Sequence, residues 1–475
     1  MSSQRTPYRP DWHFTPDRNW INDPNGLIWF EGEYHLFFQY NPLGAHWGHM
    51  SWGHAVSPDL VHWRELPVAI PETEVMAFSG CAVMDEAGAL AAVYTGHDPR
   101  TGRQAQYLAR SHDRGRSWTR QGAGPVLDIG STEFRDPKVF WHQPSRAWVM
   151  AVALAAENRI AFYRSPDLWT WRRAGAFGPA GARGRNWECP DLFELPVENR
   201  PGETRWVLAV NIGDGGVAGG SGAQYFVGDF DGAAFTLAPD WGAEPVWIDH
   251  GADFYAVASW SRTPPGDPRR IWIAWASNWR YAEAVPTGHW RGMMTAPRSV
   301  TLALTGAGYR IRQAPVRELE TLRARPQAAR DLRLGPAPLS LAPFGLAGSA
   351  LELKLEVELG AADAVVLALS DEEGGRTLIG VDRAAGAVFL DRTQTGAAFH
   401  EGFPNRHTAP AAPMDGRVRL QILVDRSIVE IFVNDGRQTL TDLIFPAGAL
   451  AWTAEARGGQ ATIQALETWV LRPAR

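Results

Sequence analysis

Short runs of alternating apolar and polar residues, rich in Val, Tyr, Phe and Trp, fill most of the chain. IWFEGEYHLFFQYNP at residues 28–42 and RIWIAWASNW at residues 270–279 are typical. Gly, Asp and Pro punctuate these runs, and long segments of helical periodicity are scarce, so the pattern predicts an all-β protein. The runs are also periodic on a longer scale. SPDLVHW at Ser57, SHDRGRSW at Ser111 and SPDLWTW at Ser165 stand 54 residues apart, and a weaker copy, GDFDGAAF, starts at Gly228. A second series, out of phase with the first, pairs a polar or acidic cluster with a following strand: NDPNGLIWF, FSGCAVM, FRDPKVFW, ECPDLFEL and DFYAVASW. Aligned on Asp23, Gly80, Asp136, Glu188 and Asp253, its steps are 57, 56, 52 and 65 residues. Five units of this length suit four-stranded blades and predict a five-bladed β-propeller. Polar groups at the starts of the innermost strands would then converge at one mouth of the central channel.

The texture changes after about residue 310. RELETLRARPQAARDLRLGPAPLSLAPFG contains a short helical stretch and then a Pro/Gly/Ala-rich segment. Beyond Ser349, alternating strands such as ALELKLEVEL and VRLQILVDRSIVEIFV follow, with Asn434-Asp435-Gly436 as a hairpin signal. These predict a β-sandwich. The expected division is a propeller over 1–315, a linker over 316–324 and a sandwich over 325–475.

Composition narrows the class. A chain of 475 residues is too long for one ordinary core. The net charge of −6 has no basic block behind it, which argues against nucleic acid as a partner. No apolar run approaches membrane-spanning length. Cys81 and Cys189 make no disulfide framework, and no CxxC or HExxH pattern points to a metal. The start, MSSQRTPYRPDWHF, has no apolar core of a signal peptide, so a cytoplasmic protein is expected; a chain trimmed of its signal would look the same. The 22 Trp and 20 Phe can pack between β layers or line a sugar site. GDGGVA at Gly213 loosely fits a nucleotide loop but lacks the βαβ context.

Three acids carry candidate chemistry. Asp23, in WINDPNG, precedes Pro24, which holds it extended; an ordinary turn accounts for NDPNG equally well. Asp136, in RDPK, has Arg135 and Lys138 beside it, which would keep its carboxylate ionised; a surface ion pair is the plain alternative. Glu188 lies between Trp187 and Cys189-Pro190, an apolar flank expected to desolvate it.

Taken together, WINDPNG, FQYNP, FSG, RDP, ECP and WASNWRYAEAVPT closely resemble the β-fructofuranosidases of glycoside hydrolase family 32: invertases, inulinases and levanases. YFVGDFDG at Tyr225, DFYA at Asp253 and DRSIVEIFVNDG at Asp425 extend the resemblance over nearly the whole chain. It implies the same propeller and sandwich. It further implies Asp23 as nucleophile, Asp136 as transition-state stabiliser and Glu188 as acid/base. Asn22, Gln39, Trp47, Phe78, Ser79, Arg135 and Trp275 match the family's fructose pocket. ETEVMA, ahead of FSG, is less polar than usual in the family and bears on the outer substrate subsites.

Those residue types suit the chemistry. A retaining glycosidase needs two carboxyls roughly 5–5.5 Å apart, one attacking the anomeric carbon and one serving as acid and then base. No metal or cofactor is called for. The expected function is retaining hydrolysis of terminal β-fructofuranosyl units of sucrose, inulin or levan. A fructosyltransferase using the same covalent intermediate, an inverting glycosidase and a non-catalytic fructan-binding protein are the alternatives. The intact acidic triad disfavours the last of these. Oligomeric state is not legible.

Overall fold

A computed structural model describes residues 8–396 and 399–474. Five antiparallel sheets follow one another along the first part of the chain. Their innermost strands are Asn19–Phe30, Met76–Met84, Phe134–His142, Trp187–Pro196 and Tyr255–Ser259. Each contacts the next, and the fifth contacts the first, so they form a closed ring. This is the five-bladed propeller the repeat predicts. The ring is tied shut by Trp290–Arg291, which pairs in parallel with the start of the first strand, Asn19 opposite Trp290.

The 54-residue phrase is the turn between the third and fourth strands of a blade. In blade I, Asp59 accepts from the backbone N–H of Val61 and His62 at 3.1 and 2.9 Å. Asp113 and Asp167 repeat this in the next two blades. Trp63, Trp118 and Trp171 then close each turn by donating their indole N–H to a backbone carbonyl at 3.0–3.1 Å. An acceptor side chain satisfying free backbone donors is why Asp recurs there.

Arg317–Leu322, within the stretch expected as linker, is a 3₁₀ helix that buries Leu319 and Leu322. From Arg323 the chain forms two six-stranded antiparallel sheets around an aliphatic core of Leu, Val and Ile with Trp452. The hairpin at Asn434-Asp435-Gly436 is present, with all three residues at positive φ. A Cβ on Gly436 would meet the Gln313 carbonyl oxygen of the propeller at 1.7 Å, so the turn seats where only glycine fits.

The two domains share apolar and ionic contacts. Leu423, Phe432 and Leu471 of the sandwich pack with Trp12, Phe14 and Trp260 of the propeller. Asp425 accepts from the backbone N–H of Asp11, Trp12 and His13 at 2.7–3.0 Å and meets His13 Nδ1 at 2.9 Å. Glu430 meets His13 Nε2 at 2.9 Å and Arg298 at 2.5 Å. The acids of DRSIVEIF are therefore interdomain ties.

Candidate active site

Each innermost strand carries the same irregularity near its start. Against its neighbour, the inner strand advances three residues while the partner advances two: Ile21 to Pro24, Ala77 to Gly80, Arg135 to Lys138, Glu188 to Asp191 and Tyr255 to Ala258. One extra residue per blade is a β-bulge, which re-aims the side chains around it. The bulged pairs are Asn22-Asp23, Phe78-Ser79, Asp136-Pro137, Cys189-Pro190 and Ala256-Val257. Prolines 137 and 190 sit where no ladder donor is needed. Asp136, Cys189 and Ala256 lie at positive φ, 65°, 44° and 53°. Asn211 braces two of the bulges, donating to the Cys189 carbonyl at 2.9 Å and accepting from Val257 N–H at 3.1 Å.

This register corrects the alignment read from the sequence, which equated Asp23, Asp136, Glu188 and Asp253. Glu188 stands at the last paired position before the bulge, level with Ile21, Arg135 and Tyr255. Asp136 stands at the first bulged position, level with Asn22 and Cys189, and Asp23 at the second, level with Ser79. Three acids thus come from three different places on one repeated device. Asp253 precedes its strand and is fully buried at the sandwich boundary, ion-paired to Arg392 at 2.7 Å.

The bulges of the first three blades, with Glu188 beside the fourth, face a depression of about 640 Å³. Its lining includes Asn22, Asp23, Gln39, Trp47, Phe78, Ser79, Arg135, Asp136 and Glu188, nine of the ten residues expected there and in the triad. Trp275 is the exception: it is completely buried behind the wall, its ring 4.9 Å from that of Trp279, which lines the depression instead. Below the acids, a void of only about 30 Å³ remains in the channel, room for about one water molecule. The depression is therefore closed below to anything the size of a sugar ring.

Asp23 is nine-tenths or more buried, which pushes its pKa up; donors from Ser79 Oγ at 2.6 Å and Asn22 Nδ2 at 2.9 Å pull it back. Asn22 is itself set by Trp20, whose indole N–H donates to Oδ1 at 2.7 Å. Asp136 is pushed up to about 7 by burial, against the opposing field of Arg135. Its Oδ2 accepts from Cys189 N–H at 2.9 Å. The Cys189 sulfur lies 3.5 Å from an oxygen of Asp23 and 3.5 Å from one of Asp136, so the two carboxylates are at most twice that distance apart. Burial also drives the Cys189 thiol well up, so it stays protonated between them.

Two expectations about partners are corrected. Lys138 does not serve Asp136; it pairs with Asp191 at 3.0 Å and donates to the Ser259 carbonyl at 2.8 Å. Glu188 does not meet an apolar surround, because Trp187 turns away into the core between blades III and IV. Instead Glu188 Oε1 accepts from Arg135 at 2.8–2.9 Å, and Oε2 accepts from the Tyr255 hydroxyl. Arg135 is held in place by Glu133 at 2.7 Å and Gln104 at 3.2 Å. Burial works against its charge, but Glu188 and Asp136 outweigh that and hold its pKa high.

Tyr255, Trp279, Gln104, Glu133 and His97 were not singled out from the sequence. Tyr255 shares the bulge register of Arg135 and Glu188, a signal visible only once the blades are aligned on the bulge. His97 stacks on Phe78 at 4.6 Å, and Phe78 meets Trp47 edge-on at 6.0 Å, making an aromatic side wall. Trp47 remains 43% exposed at the rim. Gly213 of GDGGVA belongs to the rim of this site rather than to a nucleotide loop.

Chemically, the arrangement offers three carboxylates, each held by hydrogen-bond donors, and aromatic faces at the pocket's edge. Comparison with known proteins agrees with it. Residues 13–315 match the glycosyl hydrolases family 32 N-terminal domain, and residues 318–470 match that family's C-terminal domain. The levanase of Bacillus subtilis (strain 168) is 45% identical over 461 residues, covering 92% of this chain and 66% of the levanase. The extracellular exo-inulinase of Aspergillus awamori is 37% identical, covering 93% of this chain and 90% of its own. The crystal structure of that enzyme superposes with a TM-score of 0.92 at 35% identity, covering 99% of both chains. Invertase 1 of Saccharomyces cerevisiae is 34% identical, covering 93% of this chain and 90% of the invertase.

Proposed function

Since the chain belongs to glycoside hydrolase family 32, we propose that it removes terminal β-fructofuranosyl units by double displacement. It is a glycoside hydrolase acting on fructosides, sucrose or fructans. The assignment of roles is Asp23 as nucleophile, Glu188 as acid and then base, and Asp136 as stabiliser of the developing positive charge. The single observation that carries it is the convergence of these three carboxyls, from blades I, III and IV, on one pocket.

Each role has local support. The donors on Asp23 favour the ionised form that attacks the anomeric carbon. Glu188, once it has given its proton to the leaving oxygen, is a carboxylate facing Arg135 and the Tyr255 hydroxyl. It then takes a proton from the incoming water. Asp136, pinned by Cys189 N–H, keeps one oxygen for fructose hydroxyls, whose bonds strengthen as the ring gains charge. Asn22, Gln39, Ser79 and Trp47 complete the fructose pocket.

The similarity to the Aspergillus awamori exo-inulinase supports exo attack. The test is to incubate the protein with sucrose, inulin and levan and to chromatograph products over time. Fructose as the first product from a fructan is the expected result. Early release of mixed oligosaccharides would refute exo action, and elongated products from concentrated sucrose would favour transfer over hydrolysis.

A further inference from the structure

We propose that Arg392, on the sandwich strand Ala387–Gln394, is a positioning residue for the active site in the propeller. The inference rests on the hydrolase reading above. Arg392 is completely buried. Its Nε donates to the Phe403 carbonyl at 2.7 Å. Nη1 donates to Asp253 at 2.7 Å and to the Leu443 carbonyl at 2.9 Å, and Nη2 donates to the Tyr281 hydroxyl at 2.7 Å. The Tyr281 hydroxyl in turn donates to the other Asp253 oxygen at 2.7 Å, closing a cycle. Phe403 lies under the guanidinium at 4.0 Å. Asp442 stands 3.4 Å from Nη1 and is itself paired with His407 at 2.7 Å.

Asp253 and Tyr281 belong to the propeller, and each begins a path to the pocket. Two residues after Asp253 comes Tyr255, whose hydroxyl donates to Glu188. Two residues before Tyr281 comes Trp279, which lines the pocket. Just after Tyr281, Glu283 accepts from Trp47 N–H at 2.9 Å and meets His46 at 2.7 Å, so it steadies the rim loop. One arginine therefore sets two segments: one orients the hydrogen-bond partner of the acid/base, the other carries an aromatic wall. A lysine cannot reproduce this, since a single ammonium lacks the planar fork that reaches four acceptors at once.

Arg298 provides a matched control. It is equally buried at the same domain boundary, but its partners are Asp249, Gln313, Glu430, Thr439 and Thr441, none of which lines the pocket. The experiment compares full-length wild type, Arg392→Lys, Tyr281→Phe and Arg298→Lys. Each is assayed on sucrose and on an activated aryl β-fructofuranoside, well below its own melting temperature. Arg392→Lys and Tyr281→Phe should lose tenfold or more in kcat/KM on sucrose and clearly less on the aryl fructoside, which needs little protonation of its leaving group. Their KM should rise on both substrates. Arg298→Lys should lower the melting temperature with kcat, KM and the ratio between substrates unchanged. If Arg392→Lys does not fold, Tyr281→Phe decides alone. Variants that lose only thermal stability, beside an active wild type, overturn the inference. A wild type inactive on both substrates overturns the hydrolase reading, and this inference with it.

Discussion

Replacing Ser79 by Ala tests the nucleophile through its environment and leaves the carboxylate itself untouched. Asp23 is buried, and burial raises its pKa; the Ser79 hydroxyl, at 2.6 Å from Oδ2, is the foremost force in the other direction, followed by Asn22. A hydrogen bond to a charged group contributes about 1.5–3 kcal/mol. Its loss disfavours the carboxylate by that amount, so the ionised fraction on the acid side of the profile falls about tenfold to a hundredfold. The sign follows from the role. Attack requires the ionised form, so kcat/KM falls as pH drops through the free enzyme's ionisation, and Ser79→Ala moves that limb upward. Above the limb both proteins carry a full charge, and the gap should shrink to whatever Ser79 contributes by touching substrate. Asp136, pushed up to about 7 by burial, also titrates within the assayed window, but it makes no bond to Ser79. The assay is kcat/KM on sucrose from about pH 4 to pH 8 for both proteins. A mutant-to-wild-type ratio that stays constant across that range, or that worsens towards high pH, would refute the reasoning.

Two further outcomes follow from the same geometry. Glu188→Ala keeps the nucleophile, so its defect should be large on sucrose and much smaller on an aryl fructoside or fructosyl fluoride, with azide partly restoring turnover; equal loss on all substrates would transfer the acid role elsewhere. His13 should make stability depend on pH: burial opposes its charge, but Asp425 and Glu430 win and raise its pKa above 6.5. The charged form's contribution is thus complete below about pH 6.5 and lost as pH rises through the elevated folded value. The melting-temperature gap between wild type and His13→Gln should be widest at low pH and narrow towards high pH, and a gap that widens instead would be inconsistent with this assignment.

The fold was legible because its signals are local and repeated. The Ser-x-Asp phrase marks a turn whose aspartate satisfies backbone donors, and that need recurs in every blade that makes the same turn. Period-two patterning identified the sandwich strands for the same reason. Less legible was the domain boundary's ionic character. Asp425 and Glu430 lie five residues apart on adjoining strands of one hairpin, while their partners His13 and Arg298 lie 412 and 132 residues away. Nothing in local sequence distinguishes such acids from solvated ones, so Asp253, Arg298 and Arg392 gained meaning only from the packed domains.

The site shows where strand arithmetic stops. On a regular strand, side chains alternate faces, so Asp136 and Lys138 would share one and Arg135 would point away. The extra residue between Arg135 and Lys138 breaks that parity, and Asp136 turns through positive φ. Lys138 consequently goes down the channel to Asp191, while Arg135 comes up beside Glu188. Trp187 and Glu188, both ahead of the bulge of their strand, keep the ordinary alternation, so Trp187 enters the core while its neighbour faces the pocket. The bulge is announced in the sequence only by proline: Asp-Pro at Pro24 and Pro137, Cys-Pro at Pro190. Blades II and V bulge without it, at Phe78-Ser79 and Ala256-Val257. No proline marks the bulge beside Tyr255, and that residue remained hidden for that reason. An Asp-Pro step early in an inner strand, as at Asp23 and Asp136, therefore locates the mouth of such a channel, but which groups surround it depends on a parity change that the hydrophobic pattern does not record.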